Sequence, residues 1–368
     1  MVILGGPRQV GKTSLGRSLI FVPQAEMNYD IPAQRQTILR RELPVTDLWF
    51  FDEIHKFKGW RNFLKGLVDE EAQKANLQSQ DSQDRQRILV TGSARLDLYR
   101  HGGDSLQGRY FYLRLHPLSV AELGGHADAL AQLMELGGFP EPFFKGQDSF
   151  ARRWRLAYRD RLVREEVTSL ETVSDLGKLE LLAMALTERV GSPLSINSLR
   201  EDLQVQHATI ARWVDILERL YGIFRIAPFT GSGHDAARLR AVKKEQKHYH
   251  CDWRVVDNPA ARFENLVASH LMKWVEYQVD TQAANLELRY FRNTDGREVD
   301  FVILHHQQPI ALIECKQSDS EVSDCLRYLK LRYPNAQAWQ LSAQGTKDYV
   351  NRDGIRVANA AVLLKQLV

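Results

Sequence analysis

Apolar residues in this chain gather first into short dense runs and only later into helical stripes. Residues 2–4 (VIL), 48–51 (LWFF) and 88–90 (ILV) are continuous apolar runs, followed respectively by glycines, acids and hydroxyls. Such runs predict strands buried on both faces, and the helical stretches between them predict a parallel α/β sheet. Residues 72–87 (AQKANLQSQDSQDRQR) carry no apolar period and predict a surface loop before the third strand. Residues 149–186 read as Arg-rich helix, and 179–229 as several short helices ending in a β segment. After a loop-like TGSGHD at 230–235 the pattern becomes a helix at 259–277 and strands at 286–291, 298–304 and 310–316. A helix at 322–332, then a short strand and helix, close the chain. Three domains follow from this pattern: an N-terminal α/β domain (1–148), a mainly helical region (149–230) and a C-terminal α/β domain (231–368).

Composition narrows the class. The 368 residues are 44% hydrophobic and 26% charged, which excludes wholesale disorder. No apolar run approaches the roughly 18–20 residues of a membrane-spanning helix, and the N-terminus does not read as a secretory signal. The expectation is a cytoplasmic protein without a membrane partner. A net charge of +3 neither demands nor forbids nucleic acid. Cys251, Cys315 and Cys325 are too few and scattered for a disulfide frame or zinc cage.

The first chemistry lies at Gly6-Pro7-Arg8-Gln9-Val10-Gly11-Lys12-Thr13, followed by Ser14. This fits GxxxxGK[ST] between a strand and a helix. Glycines let backbone N–H groups curl around a polyphosphate, Lys12 reaches its outer phosphates, and Thr13 offers a hydroxyl to Mg2+. Asp52 and Glu53 end the LWFF strand at the sheet edge where α/β proteins bind ligands. Asp52 would hold Mg2+, and Glu53 would orient and deprotonate a water. Thr91 and Ser93 end the third strand, where a hydroxyl can sense the last phosphate; Ser93 is the favoured one.

GPRQVGKTSL, FFDEIHKFKGWRNFLKGLVD, ILVTGSARL and LQGRYFYLRLHPLSVAEL resemble the AAA+-type P-loop ATPases of bacteria and archaea. The resemblance implies ATP and Mg2+ as cofactors, and its family carries a C-terminal domain of uncharacterised role. It also implies an arginine acting on the γ-phosphate, here Arg109 of LQGRY. Members usually have a helical segment before the first strand, whereas this chain begins almost on that strand.

Two further patterns bear on partners. Residues 194–224 read as helix-turn-helix plus a β wing, with Ser195 and Asn197 at a helix start. Ile210, Val214 and Leu217 form the core stripe, and Thr209 and Arg212 face outward. The unit serves either DNA or protein contact. Arg152, Arg155 and Arg159 share one helical face, with Arg161 and Arg164 nearby, as phosphate binders or a solvated row. A basic run of Arg238, Arg240, Lys243, Lys244 and Lys247, with Tyr249 and Trp253 interleaved, suits either a nucleic-acid groove or a solvated hairpin.

In the C-terminal part, Gly296-Arg297-Glu298-Val299-Asp300-Phe301 precedes Ile313-Glu314-Cys315-Lys316. Alternation places Glu298 and Asp300 on one strand face and Glu314 and Lys316 on one face of the next, with Val299, Phe301, Ile313 and Cys315 in the core. This resembles the D…(D/E)xK arrangement of restriction-endonuclease-like nucleases. By that resemblance Asp300 and Glu314 ligate a second Mg2+ or Mn2+, Glu264 completes the site, Lys316 is catalytic and Gln317 assists. The alternatives are a Glu314–Lys316 strand-edge ion pair, and an inactive domain that binds DNA or protein. The expected partners are thus a nucleotide and DNA, with a protein partner and oligomers also compatible.

Overall fold

The computed structural model describes residues 1–77, 86–92, 106, 108–125, 128–167, 175–231, 239, 241 and 244–367. The chain divides into two units, residues 1–116 and 117–368.

Unit 1 is a five-stranded sheet of β1 (Val2–Gly5), β2 (Glu26–Asn28), β3 (Leu48–Asp52), β4 (Arg87–Thr91) and β5 (Phe111–Arg114), in the order β2-β3-β4-β1-β5. Every neighbouring pair is parallel. All strand C-termini therefore reach one edge, and whatever ends β1, β2, β3 and β4 is brought together there. Helices α1 (Lys12–Ser18), α2 (Pro32–Arg40) and α3 (Trp60–Leu77) connect the strands. The continuous apolar runs are explained by burial on both faces. Ile3, Phe51 and Val90 pack with Ile38, Leu64 and Leu67 on one side, while Leu4, Phe50 and Leu89 pack on the other. There α1 lies close: a Cβ on Gly16 would come within 2.4 Å of the Phe50 ring. The three expected strands are present. Two more, β2 and β5, extend the sheet at its edges.

Unit 2 begins with helices α4 (Ala129–Leu136), α5 (Pro140–Lys145) and α6 (Asp148–Asp160), the last running into a π-helical segment, Arg161–Val167. Three helices follow: α7 (Leu176–Glu188), α8 (Ile196–Leu203) and α9 (His207–Arg219). The Ser195 side chain accepts from Ser198 N at the start of α8. Ile210, Val214 and Leu217 of α9 are buried, while Arg212 is exposed.

An eight-stranded sheet comprises β6 (Ile223–Pro228), β7 (Lys247–His250), β8 (Leu286–Arg292), β9 (Glu298–His305), β10 (Gln308–Lys316), β11 (Gln337–Ser342), β12 (Asp348–Val350) and β13 (Ile355–Asn359). Its order is β12-β13-β11-β10-β9-β8-β6-β7. α10 (Pro259–Gln282) covers one face, α11 (Asp324–Arg332) the other, and α12 (Ala360–Leu364) ends the fold. α10 starts at an Asn-Pro pair, with the Asn258 side chain accepting from Ala260 N and Ala261 N.

The boundaries expected near residues 148 and 231 both fall inside unit 2. Val120, Leu130 and Leu133 share one core with Trp253, Leu266 and Leu271, and β6 pairs with β8, so burial continues across both positions. Among the described residues, no helix is long and apolar enough to cross a membrane.

Candidate functional site

The turn after β1 is shaped by backbone conformation. Gly6 has φ +129°, and a Cβ there would sit 2.2 Å from the Leu115 carbonyl oxygen, so only glycine fits. Gly11, at φ 104°, precedes the first turn of α1 and carries no side chain over its free N–H groups. The loop residues Pro7 and Val10 are buried, Arg8 is half-buried, and Gln9 and Ser14 are exposed. Lys12 is buried, and its Nζ donates to the carbonyl oxygens of Gly6 (2.9 Å) and Pro7 (2.6 Å). The ammonium thus folds into the mouth of the backbone cradle.

Parallel strand ends meet at Asp52, which is 3% exposed. Thr13 Oγ1 donates to Asp52 Oδ2 at 2.9 Å, joining the glycine loop to the end of β3. Thr91 Oγ1, from the end of β4, donates to Oδ1 at 2.6 Å. Asn28 Nδ2, from the end of β2, donates to Oδ2 at 3.1 Å, and Glu53 N to Oδ1 at 3.1 Å. A carboxylate and a hydroxyl in contact beside a lysine are an oxygen donor set suited to Mg2+ and a polyphosphate. The residues present fit a Mg–nucleotide.

Glu53 follows in a left-handed conformation (φ 55°) that turns its side chain away from the strand direction. Its Oε2 lies 3.2 Å from Lys56 Nζ and 3.8 Å from His55 Nε2. Lys56 also pairs with Asp30 at 2.5 Å. Arg109 Nε donates to Asp69 Oδ1 at 2.8 Å and its Nη2 to Oδ2 at 3.4 Å, tying it to a carboxylate of α3. Ser93 lies outside the described residues. Thr91, named with Ser93 as a strand-end hydroxyl, is the one on Asp52. One residue of the site escaped sequence reasoning: Asn28 sits on a three-residue strand that no apolar run announces.

Unit 2 holds a second acid cluster, on the face covered by α10. A register shift between β8 and β9, with Arg289 opposite Val302 but Phe291 opposite Val299, breaks the alternation. Val299 therefore packs on the α11 side with Leu312 and Leu326, whereas Phe301, Ile313 and Cys315 pack on the α10 side. This corrects the expected common face of Val299 and Phe301. Lys247, whose side chain is 1% exposed, reaches Glu298 Oε1 at 2.5 Å and Glu264 Oε1 at 3.4 Å. Tyr249 OH donates to Glu264 Oε1 at 2.7 Å, and Cys315 N donates to Asp300 Oδ2 at 2.7 Å. Glu314 is held separately, by Lys316 Nζ at 2.8 Å, with its Oε2 buried and unpartnered. Gln317 Nε2 donates to the Pro259 carbonyl at 3.0 Å. Among the described residues no three His, Cys, Asp or Glu side chains converge to hold a metal ion. Glu264, Asp300 and Glu314 are neighbours without forming the expected cage.

Charge explains the balance. Burial, then the facing Asp300, raises Glu264 to about 7, and the same two causes raise Glu314 to about 7. Burial also raises Asp300. Burial pulls the Lys247 ammonium down, but Glu264, Asp300 and Glu298 outweigh it and hold it above its ordinary value. The basic run is thereby corrected. Arg238, Arg240 and Lys243 lie outside the described residues, Lys244 is exposed, and Lys247, Tyr249 and Trp253 are core residues rather than a groove lining. Of the Arg-rich helix, Arg161 Nε donates to the Ala157 carbonyl and Arg164 pairs with Glu180 at 2.8 Å.

Residues 1–124 match a family described as "AAA domain". Residues 127–254 and 260–362 match two families described as domains of unknown function, DUF8612 and DUF4143. Uncharacterized proteins of Mycobacterium tuberculosis and Mycobacterium bovis are each 25% identical over 233 residues, covering 62% of this chain and 50% of their own. An uncharacterized protein of Haemophilus influenzae is 21% identical over 288 residues, covering 73% of this chain and 66% of its own. The chain spans about half the length of the two mycobacterial relatives. Among solved structures, the Aeropyrum pernix ORC1 protein in complex with DNA aligns over 73% of this chain and 87% of its own, at 14% identity and TM-score 0.30. A Walker-type ATPase of Pyrococcus abyssi aligns over 72% and 90%, at 15% identity and TM-score 0.33. The glycine loop, the Thr13–Asp52 contact and the family match agree in making the N-terminal part of this chain similar to an AAA-type P-loop ATPase domain.

Proposed function

We propose that unit 1 binds Mg–ATP and hydrolyses it, and that this cycle switches unit 2 between states that contact DNA or a protein. The observation carrying the first half is the 2.9 Å contact between Thr13 and Asp52, which unites the phosphate loop with the acid strand end. Backbone N–H groups of residues 6–13 take the phosphates, and Lys12 leaves the Gly6 and Pro7 carbonyls for the outer phosphate oxygens. Thr13 and Asp52 would hold Mg2+, which supplies charge that offsets the build-up on the phosphoryl oxygens. Asn28 and Thr91 keep the Asp52 carboxylate oriented. Glu53 orients the attacking water and takes its proton, and Lys56 sets the position of that carboxylate. In this reading Glu53→Gln retains Mg–ATP affinity and loses turnover by at least about a hundredfold. Equal ATPase rates in variant and wild type would sink it.

Two readings of unit 2 remain. Asp300 beside Glu314 and Lys316 on adjoining strands supports a Mg2+- or Mn2+-dependent nuclease. Lys247, seated among Glu264, Glu298 and Asp300, supports a domain that binds without cutting, because an ammonium already answers the acids' charge. We favour the second. Plasmid and single-stranded DNA, incubated with either metal with and without ATP, stay intact in this reading. Cleavage that disappears in Asp300→Ala and Lys316→Ala restores the nuclease. A salt series of filter binding separates DNA from a protein partner.

A further inference from the structure

The arginine row of α6 gains a meaning that the nucleotide site does not use. Arg152, Arg155 and Arg159 line a cavity of about 430 Å3 within unit 2, a size that suits a small organic molecule. Its walls come from α6, the π-helical segment, α7, the end of α9 and the chain around His250 to Val255. Leu162, Val163, Leu186, Leu217 and Ile223 make the interior apolar. Leu156 and Met184, 56% and 51% exposed, leave apolar surface at the mouth.

Part of the charge around the cavity is answered within it, and Glu188 and Asp257 also stand in its wall. Arg152 pairs with Asp148 at 3.1 Å, and Arg254 pairs with Asp148 at 3.4 Å. Arg155 Nε pairs with the buried Asp252 Oδ2 at 3.4 Å. Arg159 has no carboxylate partner among the described residues. His250 is 8% exposed, and its Nε2 is buried without a partner. Burial lowers His250 to about 3, so it meets a ligand as a neutral ring. One guanidinium without a carboxylate partner, Arg159, and one unpartnered imidazole nitrogen, His250 Nε2, thus border an apolar space. A buried polar atom left this way costs free energy that a ligand oxygen would recover.

We infer that this cavity binds a small amphiphilic anion, with its apolar body among Leu162, Leu186 and Ile223 and its carboxylate or phosphate head at Arg155 and Arg159. The site is separate from the phosphate loop, and the inference does not depend on ATP hydrolysis.

Anilinonaphthalene sulfonate has this chemistry and is the probe. Titrated into the 368-residue chain, it binds saturably at one site. Arg159→Gln weakens binding about tenfold, and Ala183→Trp, which fills the cavity, abolishes it. Circular dichroism and an unchanged Mg–ATP affinity show that both variants are folded. Decanoate and phenyl phosphate each displace the probe, and their relative potency tells which head is preferred. Inorganic phosphate at the same concentration does not. No saturable site, equal affinity in wild type and both variants, or equal displacement by inorganic phosphate each overturns the proposal.

Discussion

Asp52, buried, and Asp300, half-buried, are both acids on strands, and they are compensated in opposite ways. Around Asp52 the partners are neutral: two hydroxyls, an amide side chain and a backbone N–H. They fix the carboxylate's orientation and leave its charge to be met by a cation. Around Asp300 a buried ammonium is built in, since Lys247 contacts Glu264 and Glu298 and raises its own proton affinity through all three acids. The same residue type therefore makes a metal-ready edge in one unit and a closed charge network in the other. What decides is the partner, and the partner is set by strand topology.

The sharpest way to break this contrast is to remove the built-in cation. Lys247→Met leaves Glu264, Glu298 and Asp300 without their ammonium in a buried place. We expect unit 2 to lose about 3–5 kcal/mol, read from urea melts at neutral pH, with partial recovery in acid as the carboxyls protonate. A loss below about 1 kcal/mol means that Lys247 is not the counterion.

A smaller effect comes from the acids themselves. Glu314 rises from 4.5 to about 7 in the folded state, chiefly through burial. A raised pKa means that folding favours the protonated form. The contribution is complete below about pH 4.5 and is lost as pH climbs through about 7. Wild type should lose stability between about pH 5 and pH 8, and Glu314→Gln should lose on the order of 2 kcal/mol less over that window. Parallel pH profiles for the two proteins would refute this. In unit 1, Thr91→Val removes the hydroxyl from Asp52 Oδ1. We expect a loss of about 1 kcal/mol, with Mg2+ needed at higher concentration for nucleotide binding. An unchanged Mg2+ dependence would show that Thr91 does not tune the acid.

Much of unit 1 is legible from sequence because its signals are local. The glycine loop, the LWFF run and the Asp52–Glu53 pair lie within short stretches whose meaning needs no distant contact. β2 and β5 are not legible for the opposite reason. They are three and four residues long; β2 (EMN) has no apolar run, and the Phe-Tyr-Leu of β5 is only half-buried, with Phe111 exposed. Asn28 was missed with β2. In unit 2 the strands and helices of residues 259–332 follow from periodicity, yet two features do not. Lys247 reads as surface because it sits in a basic run; its burial depends on acids of α10 and β9 that arrive from far along the chain. Val299 reads as a neighbour of Phe301 because alternation assumes an unbroken ladder, and the register shift between β8 and β9 reverses it.

The smallest effect tests the resemblance itself. An arginine acting on the γ-phosphate is worth roughly 10³–10⁵ in turnover where it operates. Arg109 instead grips both oxygens of Asp69, a half-buried pair of unit 1 that water still reaches. Pairs of this kind contribute little, because water competes for both partners. Arg109→Ala should therefore change the ATPase rate by less than about threefold, and Asp69→Ala should do the same. A loss near a thousandfold in Arg109→Ala alone would show that the guanidinium leaves Asp69 when nucleotide is bound. The pair with Asp69 would then be a resting position for the arginine, and unit 1 would hold a mobile cation of its own, narrowing its difference from Lys247 in unit 2.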